Sequence, residues 1–164
     1  MSIRVIDIFA GPGGLGEGFA ALICWNKERR FKVSLSIEKD HYAYQTLLLR
    51  SFFRQFPNGR VSKKYYDFTK GELSLEELFR KKSFEANKAF QEAWHAELGK
   101  EPVKMVDDRI KEALSGKEDW VLVGGPPCQA YSIVGRVRRN GINPNDPRRG
   151  AEGALEDQLG KTQG

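Results

Sequence analysis

Between the apolar run Ile3 to Phe9 (IRVIDIF) and a helical spacing that opens at Leu15 stands Ala10-Gly11-Pro12-Gly13-Gly14. The run is short, β-branched and bounded by glycine, which reads as a buried parallel strand. The segment Leu15 to Trp25 reads as a helix with Leu15, Phe19, Leu22 and Ile23 on one face. A strand that turns straight into a helix through glycines must lay that helix back on a sheet.

The same alternation continues along the chain. Lys32 to Ile37 (KVSLSI) alternates and predicts a second strand. Asp40 is placed to cap a helix that carries Ala43, Leu47, Leu48 and Phe52 at helical spacing. Pro57-Asn58-Gly59 predicts a turn, and Arg60 to Tyr66 a third strand ending at Asp67. Three helical patterns follow: Leu75, Leu78 and Phe79; then Phe90, Trp94 and Leu98; then Val106, Ile110, Ala113 and Leu114, with Gly116 as a stop. Together they predict a helical insertion over about residues 70–117. Trp120 to Val123 predicts a fourth, buried strand. The order implies an α/β fold with a mostly parallel sheet and flanking helices. With 164 residues, one domain is expected: a body over 1–135 and a loop or disordered tail over 136–164.

Composition narrows the function classes without choosing one. Lys and Arg number 27 against 22 Asp and Glu, a net charge of +5, which suits a polyanionic partner but does not establish one. Cys24 and Cys128 are the two cysteines, neither in a C-x-x-C pair, and His41 and His95 stand apart from them. A structural zinc site or a disulfide framework is therefore not expected, and reduced thiols in a cytoplasmic setting are. The N-terminus MSIRVIDIFAGPGG lacks a signal-peptide pattern. No run approaches the roughly 20 apolar residues of a membrane span.

The glycine block admits two cofactors. Gly11, Gly13 and Gly16 satisfy G-x-G-x-x-G, and Glu38 follows at the distance of a carboxylate that accepts ribose hydroxyls. A dinucleotide is thus permitted, as is a tight turn with no ligand. Three details favour S-adenosylmethionine. Phe9 lies where a ring can pack beside adenosine, Pro12 removes an N–H that a pyrophosphate would use, and Asp67 offers a second carboxylate to an exocyclic amine. Asp67 also reads as an ordinary cap, and Glu38 as a solvated strand end.

The other chemical block is GGPPCQAYS, Gly124 to Ser132, directly behind the fourth strand. Cys24, inside a predicted helix, is expected to pack in the core. Cys128 instead follows Pro126-Pro127, whose fixed φ presents the thiol with little freedom. Ligands of open α/β sheets bind beyond the carboxyl ends of the strands, where strand order reverses. If strands one and four are neighbours across that reversal, the glycine loop and Cys128 face one crevice.

Taken together, DIFAGPGGLGEGF, SIEKD, YYDF and GGPPCQAYS resemble, in order, the DNA cytosine C5-methyltransferases. The resemblance implies their Rossmann-like S-adenosylmethionine-dependent fold. It implies a cofactor site of Phe9, Ala10, Gly11, Gly13, Gly14, Leu15, Glu38, Lys39, Asp67 and Phe68, with Cys128 as nucleophile. Pro127, Gln129 and Ser132 would border the substrate pocket. Arg136, Arg138 and Arg139 would contact phosphates, or form a solvated basic loop. The implied partner is double-stranded DNA, in restriction–modification, with no metal and no membrane.

The resemblance ends early. The family's Glu-Asn-Val block, its Arg-x-Arg block, its target-recognition region and its late Asn-containing block are not found after NPNDPR. The chain therefore resembles the N-terminal part of a methyltransferase, truncated after the fourth strand. It is expected to be inactive alone; a truncation, a frameshift product, and half of a split enzyme completed by a second chain carrying the C-terminal half all stay open. Competing readings are a transfer-RNA cytosine-5 methyltransferase, a non-catalytic remnant that binds S-adenosylmethionine or DNA, and, more distantly, a nicotinamide dehydrogenase.

Overall fold

Four strands form one parallel sheet: β1 (Ile3–Ile8), β2 (Phe31–Glu38), β3 (Ala93–His95) and β4 (Trp120–Gly124), in the spatial order β3-β2-β1-β4. The computed structural model describes residues 2–23, 29–57 and 60–125, all within the unit Met1–Gly125. The six helices described are α1 (Gly14–Ala21), α2 (His41–Arg54), α3 (Lys63–Thr69), α4 (Leu75–Lys81), α5 (Ser83–Glu92) and α6 (Val103–Leu114). The expected Rossmann-like arrangement is present. The chain steps from β1 to β2 to β3 in one direction and then returns to the other side of β1 for β4.

Helices cover both faces of the sheet. On one, Leu47, Leu48 and Phe52 of α2 pack with Leu78 of α4, Ala86 and Ala89 of α5, Ala93 and Ala10. On the other, Ile6, Leu35 and Ile37 meet Trp94 and the Ile110, Ala113 and Leu114 stripe of α6. Each fully buried large aliphatic or aromatic side chain contributes about 1.5–3 kcal/mol. Asp40 caps α2 as its position predicted, accepting from the Ala43 N–H at 2.8 Å. Ser74 and Glu77 close a capping box at α4. Arg54 ties three helices together: its guanidinium pairs with Glu17 of α1 and with Glu92 of α5, which also accepts from Ser51 at 2.9 Å.

Five expectations are corrected. The third strand is not at 60–66. Ser62 caps α3 there, and Tyr65 and Phe68 turn one helical face to the core; their spacing of three is helical, not alternating. The strand that completes the sheet is β3, where a helix through Phe90, Trp94 and Leu98 was expected; α5 stops at Glu92 and Trp94 pairs with Ile37. The insertion over 70–117 is thus not wholly helical.

In α1 the buried residues are Gly16 and Ala20, whereas Leu15, Leu22 and Ile23 are exposed. Small residues let this helix lie close against Asp7 and Val33. The alternation of β2 is broken by a bulge: Val5 pairs with Val33 but Ile6 with Leu35. The extra residue, Ser34, sends Val33 to the α1 face and Leu35 to the α6 face. Finally, β4 is not buried throughout, since Leu122 is 53% exposed at what is the sheet edge among the described residues. Of the Pro57-Asn58-Gly59 turn, the Arg60 N–H donates to the Pro57 carbonyl at 2.9 Å; Asn58 and Gly59 lie outside the described residues.

Candidate functional site

At the carboxyl rim of the sheet, β1 ends opposite both of its neighbours: Ile8 pairs with Ile37 on β2 and with Gly124 on β4. The strand-order reversal therefore falls between β1 and β4, where open α/β sheets bind their ligands. The glycine loop leaves β1 at this rim, and β4 ends at the same rim with Gly124. Gly124 allows the closeness: a Cβ there would lie 2.6 Å from the Ile8 carbonyl oxygen.

Phe9 begins the loop in the left-handed region, with φ of 55°, and is 39% exposed. A bulky residue held there is strained by about 1–3 kcal/mol, a feature concentrated at binding and catalytic sites. Its side chain is left partly exposed at the end of β1. Gly11 and Gly13 then take φ of 56° and 90°. Ala10 is buried, whereas Gly14 and Leu15, in the first turn of α1, are exposed.

The N–H groups of this loop are already committed. Gly11 donates to Glu38 Oε2 at 2.7 Å, Pro12 has no N–H, and Gly13 donates to the Ala10 carbonyl at 3.0 Å. A pyrophosphate would find no donor at positions 11–13 and would face the Glu38 carboxylate. A Cβ at Gly11 or Gly14 would meet nothing within 4 Å, so the loop is open to a ligand above it. Open glycine backbone with a carboxylate beside it fits the neutral ribose and cationic sulfonium of S-adenosylmethionine better than a dinucleotide.

Glu38 is 9% exposed and spans the rim. Its Oε1 accepts from the Asp40 N–H at 2.7 Å while Oε2 holds Gly11. A carboxylate has about four acceptor positions, so ribose hydroxyls can still be accepted. Lys39, beside it, turns its ammonium to Glu97 at 3.5 Å.

Asp7, in β1 below the loop, is wholly buried and neither carboxylate oxygen has a hydrogen-bond partner. Burial pushes its pKa up to about 6; the nearby Gly16 N–H and Arg54 act the other way, and Glu38 adds to the rise. The Gly16 N–H falls short of a full hydrogen bond.

The structure does not assemble all the expected residues. Asp67 lies within α3 and takes Lys64 Nζ at 3.2 Å, and Phe68 packs on the core around α2, so neither ends a strand at the rim. Cys24, Pro127, Cys128, Gln129, Ser132, Arg136, Arg138 and Arg139 lie outside the described residues. Two rim residues went unread in the sequence: His95, which pairs with Glu38 across β2 and β3, and Tyr44, stacked on it at 4.8 Å. A lone histidine carries no spacing signal; only strand pairing reveals it. Among the described residues, no group of three or more His, Cys, Asp or Glu is placed to hold a metal ion, and no helix is long and apolar enough to cross a membrane.

A parallel sheet with a glycine loop at its order reversal and an acidic end on the adjacent strand defines a Rossmann-like fold consistent with that of methyltransferases. By sequence the chain is similar to the Type II methyltransferase M.Bpa9945I of Bacillus paralicheniformis, 25% identical over 162 residues, covering 88% of this chain and 35% of the relative. The chain thus spans about a third of the length of the curated relative it matches. No protein-family profile matches it, and no solved structure does.

Proposed function

We propose that this chain supplies the cofactor loop and nucleophile of an S-adenosylmethionine-dependent DNA cytosine C5-methyltransferase. The observation that carries the reading is the pairing of Ile8 with Gly124 in parallel strands, which brings the start of the glycine loop to the end of β4, and the Pro-Pro-Cys block follows β4 in sequence. The similarity to a Type II methyltransferase supports the reaction class.

Glu38 would hold the ribose, Phe9 would pack beside the adenosine, and Gly11, Gly13 and Gly14 would leave room for the methionine end. When bound, S-adenosylmethionine supplies an electrophilic methyl group. Cys128 acts on the other substrate. Its thiolate attacks C6 of a cytosine turned out of the duplex, forming an Sγ–C6 bond and making C5 enamine-like. After C5 is methylated it loses its proton to a base, the Sγ–C6 bond breaks, and the thiolate and the aromatic ring are regenerated.

Duplex DNA carrying 5-fluorocytosine tests this, because fluorine at C5 blocks the final elimination. It is incubated with S-adenosylmethionine and the chain, alone and with a polypeptide corresponding to the remainder of M.Bpa9945I. The proposal predicts a covalent adduct on the Cys128 peptide by mass spectrometry, in the supplemented mixture at least, and none with Cys128→Ser. No adduct in either mixture overturns it.

A further inference from the structure

We propose that His95 is the specificity-determining residue at the base end of the cofactor site, its Nδ1 accepting a hydrogen bond from the exocyclic amine of adenine. This rests on the S-adenosylmethionine reading above.

Strand pairing gives the first argument. His95 stands opposite Glu38 at the ends of β3 and β2, and β2 lies between β3 and β1. The rim therefore carries, in spatial order, the glycine loop, Glu38 and His95, with neighbouring strands about 4.8 Å apart. A ligand lying along the rim with its ribose at Glu38 and its amino-acid end over the glycines reaches toward His95 with its base. Asp67, expected in this role as the end of a third strand, sits instead in α3 with Lys64.

The second argument is the tautomer. His95 Nε2 lies 3.0 Å from the Lys39 carbonyl oxygen. A carbonyl only accepts, so Nε2 carries the hydrogen, and of the two neutral tautomers this is the one that leaves the lone pair on Nδ1. An acceptor suits the amine of adenine. Hypoxanthine and guanine place a carbonyl oxygen at the same position, which would meet that lone pair unfavourably. The ring is held in place: Tyr44 stacks on it with an interplanar angle of 18°, and the His41 ring lies 5.8 Å away.

Calorimetry on the full chain tests this with two probes: S-adenosylhomocysteine and the analogue in which unsubstituted purine replaces adenine. The native chain should bind S-adenosylhomocysteine about 10-fold more tightly than the purine analogue, the effect of one hydrogen bond. His95→Phe, which keeps a ring for Tyr44 to stack on, should abolish that preference without weakening the purine analogue. His95→Asn, whose Oδ1 can accept in place of Nδ1, should restore part of it. Equal discrimination by native and His95→Phe chains, both melting cooperatively, overturns the role of His95 alone. Failure of the native chain to bind either probe overturns the S-adenosylmethionine reading on which it rests.

Discussion

Gly11 and Glu38 are joined across the sheet rim by a 2.7 Å hydrogen bond from the Gly11 N–H to Oε2, while Oε1 holds the Asp40 N–H. One carboxylate thus shapes the glycine loop and anchors the turn into α2. The same group is the proposed ribose acceptor, so its removal strikes twice. Glu38→Ala should weaken S-adenosylhomocysteine binding by at least about 30-fold in calorimetry, or about 2 kcal/mol. It should also lower stability by about 1–3 kcal/mol, because two N–H groups lose their acceptor. Binding within a factor of about two of the native chain would remove Glu38 from the site.

Gly124 sets how closely β4 approaches β1. An added Cβ would lie 2.6 Å from the Ile8 carbonyl oxygen and 2.7 Å from Ile8 Cγ1, whereas at Gly125 it would meet nothing within 4 Å. Gly124→Ala should therefore cost about 2–3 kcal/mol in urea unfolding, and Gly125→Ala less than about 0.5. Equal effects at the two positions would contradict the observed strand register.

Asp7 makes stability depend on pH with an unusual sign. Its pKa is raised from 3.8 to about 6, chiefly by burial. The folded chain then holds this proton more tightly than the unfolded chain does. Its contribution is fully present below the unfolded pKa and is lost as pH rises through the folded one. Asp7→Asn lacks this loss. Relative to the native chain it should gain on the order of 1–2 kcal/mol between about pH 4 and pH 7. Urea midpoints measured across that range check it; a constant difference between the two chains would contradict it.

How much of this was legible in the sequence depends on the reach of each signal. β1 and β4 were readable because short β-branched runs next to glycine leave few alternatives, α2 and α6 because their apolar stripes repeat over several turns, and α4 because Leu75, Leu78 and Phe79 keep helical spacing. The bulge at Ser34 was not, since it is a property of pairing between two strands. Three residues, Ala93 to His95, are too few to show a period. In α3 an aromatic-rich stretch has strand propensity, but packing of Tyr65 and Phe68 on the α2 core prevails. At the rim, the glycine loop and Glu38 were visible as residue types in order. The left-handed Phe9, the buried unpartnered Asp7 and the placement of His95 arise only in three dimensions.

The proposed reaction requires the Cys128 thiol to act beside the bound methyl donor. Protection from alkylation tests it most directly, with Cys24, the other cysteine in the chain, as an internal control. Iodoacetamide labelling of both thiols is followed by mass spectrometry, with and without S-adenosylhomocysteine at concentrations shown by calorimetry to saturate the chain. The account predicts that the ligand changes the Cys128 labelling rate at least about fivefold and leaves Cys24 unchanged, since thiol reactivity follows local charge and access. An unchanged Cys128 rate at saturation would contradict it.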